Sequence, residues 1–159
     1  MASTTLTLDT ASVTASFTVK KLGFLTVKGV ISGFSGAATF AEGDQNGSAF
    51  DLCGSVNTIN TGSGKRDEHL RGSDFFDVER FPSICFRSNT IVESAGQYKV
   101  MGDLTILEVT KSVEIPFQYQ NGKLSGQFSI KRLDYGLGTK FPAFFVGNSV
   151  QISIICNAK

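Results

Sequence analysis

The chain has 159 residues and a formal net charge of +1. A chain of this length favours a single domain, which we place over residues 1–159, with about two-thirds of the unfolded surface buried. The balanced charge gives no indication of a nucleic-acid partner or of an anionic membrane surface. No stretch reaches the ~18 apolar residues of a membrane-spanning helix, so we expect no transmembrane segment.

Eight stretches alternate apolar and polar residues with a period of two, the pattern of strands with one buried face. They cover residues 13–19, 25–31, 50–56, 84–90, 100–106, 113–119, 124–130 and 150–156. Most links are short, and the Asn46-Gly47 and Asn121-Gly122 pairs are typical of hairpin turns. Consecutive hairpins predict an antiparallel meander. Because one-sided strands must bury their apolar faces together, we expect an all-β, eight-stranded antiparallel barrel.

The segment 61–82 interrupts this pattern and predicts a short helical insertion near residues 64–78. Residues 66–70 are helix formers between glycines, and Gly72 suits a left-handed C-cap. We expect a second single turn at residues 75–78. The charged side chains should face water. The apolar side chains should turn inward as a plug on the barrel: Phe75, Phe76, Val78 and Phe81.

Small residues in the inward register bear on whether the barrel is solid. An eight-stranded barrel is just wide enough to be filled by side chains or to hold one small ligand. The chain has 14 Phe and no Trp, and Phe suits a dry interior because it carries no polar group. The alternative is that each glycine marks a bend in the sheet. We expect an apolar lumen beside four inward glycines: Gly29, Gly54, Gly102 and Gly126.

The residues that usually perform catalysis are scarce. His69 is the single histidine, and a Ser or Cys nucleophile usually needs a histidine base. The carboxylates near it alternate with arginines, which surface ion pairs explain. No spacing of Cys and His matches a metal site. We therefore expect no enzymatic activity, no cofactor and no metal.

The three cysteines, Cys53, Cys85 and Cys156, lie singly in strand-like stretches. Neither their odd number nor their spacing indicates a pair, so we expect three free, buried thiols. A disulfide would instead favour an oxidising compartment.

Four motifs resemble those of a known family. R-D-E-H-L-R-G-S-D-F-F-D at residues 66–77, followed by F-P-S-I-C-F-R-S at residues 81–88, resembles the signature of the YceI-like family. G-D-L-T-I-L-E-V-T-K at residues 102–111 and D-Y-G-L-G at residues 134–138 are similar to further motifs of that family.

The resemblance implies a lipocalin-like barrel that holds a long amphiphilic lipid, usually a polyisoprenoid, in a protein that is often periplasmic. Residues 1–10 show no signal peptide, so we expect a cytoplasmic protein unless a signal was removed. The chain departs from the family at Lys21, where the family often has His, and at Glu108, where it has Gly.

Together, the pattern and the resemblance predict that the barrel carries a lipid with a long apolar chain and a polar end. We expect the apolar chain to contact Phe17, Val19, Leu25, Phe34, Phe75, Phe76, Phe81, Phe86, Leu104, Phe117, Phe128, Phe141, Phe144 and Phe145. The polar end would meet cationic side chains: Lys21, Arg66, Arg71 and Lys140. The alternative function is a non-catalytic protein-interaction or structural barrel that acts through its surface or as a homodimer.

The segment 132–148 is long for a connection in a compact domain, and it is rich in glycine and phenylalanine. We expect it to act as a gate with the insertion, in which Phe141, Phe144 and Phe145 cover the lumen and contact the ligand. The alternative is that these rings only seal one end of the barrel.

Overall fold

The computed structural model describes residues 5–44 and 47–159. Eight antiparallel strands pair in sequence order, and the last strand pairs with the first to close a barrel. The predicted eight-stranded antiparallel barrel is confirmed. The strands are β1 (Thr5–Lys21), β2 (Leu25–Ala41), β3 (Ala49–Asn60), β4 (Ser83–Ser94), β5 (Gln97–Ile106), β6 (Val109–Gln120), β7 (Lys123–Lys131) and β8 (Val146–Ala158).

The two ends of the barrel are built differently. At one end, which we call the helical end, the chain forms the 22–24 turn, the insertion 61–82, the 107–108 turn and the segment 132–145. The far end carries tight links such as the 95–96 turn. The two longest described connections, the insertion 61–82 and the segment 132–145, therefore lie at the same end.

One of the two hairpin turns predicted from Asn-Gly pairs lies wholly within the described residues. Asn121 and Gly122 form the predicted two-residue turn between β6 and β7, with φ of 54° and 78°. These left-handed conformations match the twist of the flanking strands. Of the other predicted pair, Asn46 lies outside the described residues.

Aromatic rings fill the interior near the far end. Phe40 is fully buried, and its ring centroid lies 5.2 Å from that of Tyr98, 5.9 Å from that of Phe117 and 5.0 Å from that of Tyr119. Such ring pairs contribute about 0.5–1.5 kcal/mol each beyond the area they bury. A cluster of aromatic rings therefore occupies this end of the interior.

The predicted helix forms as α1 (Gly64–Arg71). Gly72 is extended, with φ −78° and ψ 179°, so the predicted left-handed C-cap is wrong. Residues 73–80 form turns rather than a second helical turn. The reason is that the backbone N–H groups of residues 76–78 donate back to the carbonyls of residues 70–72, which makes a wider loop than a helix allows.

One charged side chain of the insertion is buried, contrary to the expectation that all would face water. Asp67 is 6% exposed. Its Oδ1 accepts hydrogen bonds from the Thr61 N–H, at 2.9 Å, and from the Thr61 hydroxyl. Arg66 donates to the same threonine through Nε and Nη2, both at 2.7 Å. Burial of the carboxylate is tolerated because these bonds replace its contacts with water.

The expectation of three free thiols is wrong. Cys53 on β3 and Cys85 on β4 lie directly opposite each other, with Cα atoms 4.1 Å apart, and form a disulfide. They are 32 residues apart in the chain, and only the pairing register of the two strands brings them together. Cys156 is the free cysteine, and it is buried.

Candidate functional site

All eight strands contribute to an apolar cavity in the middle of the barrel, which we call the central cavity. Its volume is about 140 Å³, and apart from Ser125 its lining consists of apolar residues and cysteines. Alternate residues of each strand point inward, so the period-two pattern of the sequence produces this lining directly. The interior offers a ligand hydrocarbon contacts and almost no hydrogen-bonding groups.

A second apolar cavity lies beneath the helical end, and we call it the end cavity. Its volume is about 120 Å³. Leu70, Phe75 and Phe76 of the insertion form part of its lining, and Leu137 of the segment 132–145 forms another part. The insertion therefore lies over the barrel end, and two of its four apolar residues predicted to turn inward, Phe75 and Phe76, line the cavity.

The two cavities adjoin each other. Ala15, Ile84, Ile106 and Ile152 line both of them. The side chains of these four residues therefore form the boundary between the two spaces.

Nine of the fourteen residues predicted to contact the apolar chain line one of the two cavities. Those in the central cavity are Phe34, Phe86, Leu104, Phe117 and Phe128. Those in the end cavity are Phe17, Val19, Phe75 and Phe76.

Three of the other predicted contacts are exposed to solvent instead. Leu25 is 47% exposed, Phe144 is 78% exposed and Phe145 is 50% exposed. The expectation that Phe144 and Phe145 cover the lumen is wrong. Their backbone continues directly into β8, and the Leu22 N–H donates to the Phe145 carbonyl at 2.9 Å, which holds this turn beside the first hairpin and away from the cavities.

The last two predicted contacts pack at the outer side of the plug. The Phe141 ring stacks on Phe75, with centroids 5.1 Å apart. Phe81 lies under the Arg80 guanidinium, whose carbon is 5.0 Å from the ring centroid. Phe141 therefore packs against Phe75, which lines the end cavity, while Phe81 contacts a charged side chain at the surface.

The inward glycines do not open the lumen as expected. A β-carbon added to Gly54 would lie 2.6 Å from the Phe34 ring, and one added to Gly102 would lie 2.5 Å from the Phe86 ring. The ring of Phe17 likewise lies over Gly29, its partner on the neighbouring strand. Each glycine makes room for a neighbouring ring to lie flat against the wall. The cavities are what remains between these rings.

The fourth inward glycine is also enclosed. A β-carbon on Gly126 would lie 3.0 Å from the Pro116 carbonyl oxygen and 3.1 Å from a methyl group of Ile115. The expectation that four glycines provide free lumen space is therefore wrong at all four positions. Sequence alone could not reveal this, because it does not show which aromatic ring a strand neighbour places over each glycine.

Known proteins share this architecture. A family model described as the YceI-like domain matches residues 6–158. The chain belongs to the YceI-like family. The resemblance inferred from the motifs is thus confirmed.

Relatives by sequence are longer than this YceI-like chain. A UPF0312 protein of Yersinia pestis is 32% identical over 111 residues, which are 70% of this chain and 55% of the relative. A UPF0312 protein of Yersinia enterocolitica is 33% identical over the same length. The chain therefore spans about half the length of the curated relatives it matches.

Solved structures show the same barrel. BcnA of Burkholderia cenocepacia superposes with a TM-score of 0.87 at 25% identity, over 96% of this chain and 99% of that one. The YceI protein of Campylobacter jejuni gives 0.76 at 22%, over 88% and 89%. A polyisoprenoid-binding domain of Saccharophagus degradans gives 0.71 at 16%, over 99% and 100%. The last two share the fold alone.

A buried arginine organises the helical end of this YceI-like barrel, and sequence reasoning missed it. Arg132 is 2% exposed and opens a short 3-10 helix, Arg132–Tyr135. Its guanidinium donates to five backbone carbonyls, those of Leu137, Gly138, Phe141, Val146 and Gly147. These bonds use all five N–H groups of the side chain.

The Arg132 bonds correct the expectation of a hinged gate over residues 132–148. Burial lowers the pKa of its guanidinium from the ordinary value, and no carboxylate is paired with it in the part of the chain that the structure describes. The carbonyls themselves provide the electrostatic compensation. The backbone of the segment surrounds one cation. Its glycines therefore allow the carbonyls to approach the guanidinium closely and the chain to form left-handed turns, and they do not act as hinges.

Of the four cations predicted to meet a polar head group, two hold the end of β3. Arg66 donates to Thr61, and Arg71 donates to the carbonyls of Asn57 and Ile59, at 3.1 and 3.2 Å. Their guanidinium groups are therefore engaged in anchoring the insertion to the barrel.

The other two predicted cations are lysines at the surface. The Lys140 ammonium lies 2.9 Å from Asp74 Oδ1, and His69 Nε2 lies 3.0 Å from Asp74 Oδ2. The hydrogen bond from Lys140, followed by that from His69, lowers the pKa of the Asp74 carboxyl below its usual value. Lys21 is exposed, and no ion pair involves it among the residues described.

Within residues 5–44 and 47–159, no group of three or more His, Cys, Asp or Glu side chains is placed to hold a metal ion. In the same residues, no helix has the length and apolar character needed to span a membrane.

Proposed function

We propose that this YceI-like protein binds a long-chain amphiphilic lipid, of the polyisoprenoid or fatty-acid kind, inside the barrel and without catalysis. The observation that carries the proposal is the pair of adjoining cavities with an almost wholly apolar lining. Such a lining favours hydrocarbon because transfer of apolar surface out of water is the dominant driving force available there. The name of the Saccharophagus degradans domain, which shares the fold, supports the same ligand class.

The volumes indicate how much hydrocarbon the barrel accepts. An apolar cavity of about 150 Å³ in another protein binds benzene, and the two cavities, at about 140 and 120 Å³, are each close to that size. Together they accommodate roughly a dozen carbon atoms. At about 0.8 kcal/mol per buried methylene, that chain gains roughly 10 kcal/mol. The gain exceeds the several kcal/mol lost when a ligand is immobilised.

The test is a substitution at the junction of the two cavities. Ala15 is buried and lines both of them, so Ala15→Leu places three extra carbon atoms in the path of an extended chain. We expect dodecanoate binding, measured by isothermal titration calorimetry, to weaken at least tenfold. Ala37→Leu on the exposed face of β2 is the matched control and should bind as the parent does.

The same experiment separates the alternative function. Protein purified without detergent should also carry a lipid that native mass spectrometry detects. If no lipid co-purifies and dodecanoate does not bind to the parent, the lipid carrier is refuted and the interaction module is the better description. If Ala15→Leu binds as tightly as the parent, binding occurs outside the two cavities.

We also propose that the protein works in an oxidising compartment such as the periplasm. The disulfide between Cys53 and Cys85 supports this location, because such bonds persist where thiols are not kept reduced. Burial raises the pKa of the Cys156 thiol, which keeps the remaining cysteine protonated and slow to oxidise.

A further inference from the structure

Five large apolar side chains are exposed together at the helical end. Leu22 is 43% exposed, Phe24 is 72% exposed and Leu25 is 47% exposed, while Phe144 and Phe145 are 78% and 50% exposed. The described residues include three other large apolar side chains with comparable exposure, and these lie on the barrel wall. We call the five residues the apolar tip.

Two segments that are distant in sequence form the apolar tip as one surface. The 22–24 turn and the segment before β8 are joined by the hydrogen bond from the Leu22 N–H to the Phe145 carbonyl, at 2.9 Å. Lys21 pairs with Val146 in the β1–β8 register just below it. The rings of Phe144 and Phe145 meet edge to face, with centroids 5.3 Å apart.

The shape of the tip is fixed, not a result of loose chain. Arg132 holds the carbonyls of Phe141 and Val146 on either side of the tip residues. The Phe145 N–H donates to the Pro142 carbonyl at 2.9 Å, which closes a tight turn. The protein therefore maintains exposed aromatic rings on a braced backbone, although exposed apolar clusters in soluble proteins usually mark an interaction site.

The two chain segments that form the apolar tip carry charge of one sign. Residues 10–41 and residues 135–159 contain no Asp or Glu. Lys20, Lys21 and Lys28 lie in the first segment, and Lys140 lies in the second. Lys140 pairs with Asp74 of the insertion, and the ammonium of Lys20 contacts the Thr26 hydroxyl at 2.8 Å. The net charge of +1 for the whole chain thus conceals two cationic segments at the apolar tip, whereas the carboxylates of the helical end, such as Asp74 and Glu108, lie on other segments.

We propose that the apolar tip docks on the surface of a lipid bilayer that contains anionic lipids. Phe and Leu side chains enter the boundary between head groups and acyl chains, and the lysines around them meet the phosphates. Val19 and Val146, which flank the tip in the chain, line the end cavity. Docking therefore brings the helical end of the barrel against the membrane. The proposal concerns the outer surface and does not depend on what the cavities bind.

A bilayer fits these observations better than a second copy of the chain. In a two-fold dimer the same patch would face itself, which would place Lys20 and Lys21 of both copies together with no carboxylate from either tip segment to offset them. Like charges at an interface oppose association. An anionic lipid surface supplies the negative charge that Lys20 and Lys21 lack on their own segment.

The test is co-flotation with vesicles. The parent should float with vesicles of phosphatidylglycerol and phosphatidylcholine, float much less with phosphatidylcholine alone, and detach as salt is raised. Phe24→Ser with Phe144→Ser should lower the partition coefficient at least tenfold. Lys20→Gln with Lys21→Gln should lower it roughly tenfold or more, on anionic vesicles only.

A matched control uses exposed apolar residues outside the tip. Val92 and Ile155 are 39% and 38% exposed, and Val92→Ser with Ile155→Ser should float as the parent does. The Ala15→Leu protein should also float, because its altered residue lies inside the barrel. Thermal melts confirm that each variant is folded before its partition is compared.

Five results would overturn the proposal. The parent fails to float with anionic vesicles, the tip variant floats as well as the parent, or the control pair is lost to the same degree. The fourth is a dimer of the parent in sedimentation without vesicles that the tip variant abolishes, which would assign the surface to a second copy. Loss of flotation in Ala15→Leu would likewise assign the association to cavity loading.

Discussion

Replacement of Arg132 by Met tests the account of the helical end most directly. Met has a similar reach and an apolar side chain, so Arg132→Met removes the charge and the donors while it fills most of the space. Five backbone carbonyls lose the hydrogen bond from the guanidinium, although that of Gly138 also accepts from the Phe141 N–H at 2.9 Å.

The magnitude follows from burial and from the number of bonds. Hydrogen bonds that involve a charged group contribute about 1.5–3 kcal/mol each, but carbonyls near the surface regain water when the chain loosens. A buried acceptor that is left without a donor costs about 1–3 kcal/mol, and because some of the five carbonyls regain water or keep another donor, we expect a total of roughly 3–5 kcal/mol. At about 2–4 °C per kcal/mol for a domain of this size, the melting temperature should fall by roughly 6–20 °C.

The assay combines urea unfolding with hydrogen exchange. Exchange at the Leu22 N–H, which bonds to the Phe145 carbonyl, should accelerate more than exchange in β4 or β5. Arg132→Lys should recover only part of the stability, because an ammonium cannot reach five carbonyls in one plane. Arg87→Met, at an exposed strand position, is the control. A cost below about 1 kcal/mol for Arg132→Met would refute the reasoning.

Three further changes test other parts of the structure. Denatured, non-reduced protein should show one thiol per chain, and Cys53→Ser with Cys85→Ser should lower the free energy of unfolding by about 3–4 kcal/mol; three thiols would mean that the disulfide does not form. Gly102→Leu should lower the free energy of unfolding by about 1–3 kcal/mol, because the ring over the glycine must move, and an unchanged melting temperature would contradict that packing. The Lys140 ammonium lowers the pKa of Asp74 in the folded state from 3.8. The pair therefore stabilises the fold above about pH 4, and this contribution is lost as the pH falls further. The difference in unfolding free energy between the parent and Asp74→Asn should therefore disappear in acid, and a difference that persists at pH 2 would contradict the ion pair.

The fold could be read from the sequence because one periodicity runs through most of it. Alternation of apolar and polar residues identified the middle of every strand, and it failed at the ends. β1 begins at Thr5, and its apolar residues change from even positions, Leu6 and Leu8, to odd positions from Val13 onward, because a register shift between Asp9 and Thr14 interrupts its pairing with β8. A bulge of this kind reverses the face on which later residues lie.

The candidate site was predictable to the extent that it depends on strand faces. Phe86 and Phe128 line the central cavity because their parity along the strand directs them inward, whereas Phe34 does so only because register shifts interrupt the pairing of β2 with β3. The disulfide was missed because pairing of Cys53 with Cys85 depends on the register between strands. Arg132 was missed because a charged side chain was assigned to water, although the many carbonyls of a glycine-rich turn that lies over an apolar interior need donors.

Ligand length provides the last prediction, because the cavities have a definite capacity. With room for roughly a dozen carbon atoms, each methylene added to a saturated fatty acid from eight to twelve carbons should tighten binding about fourfold, the equivalent of 0.8 kcal/mol. Beyond that length the added carbons should remain in water near the helical end, so the affinity should level off.

The aromatic rings that lie over the inward glycines limit the volume of the cavities and therefore the length of chain that they hold. They could yield space only by leaving the flat position against the wall, which would expose the glycine backbone and cost packing contacts. Calorimetric titration with acids of 8, 10, 12, 14, 16 and 18 carbons measures the slope. A constant fourfold gain per methylene through 18 carbons would show that the rings move aside. The two cavities, at about 140 and 120 Å³, would then be the contracted form of a longer channel rather than its full capacity.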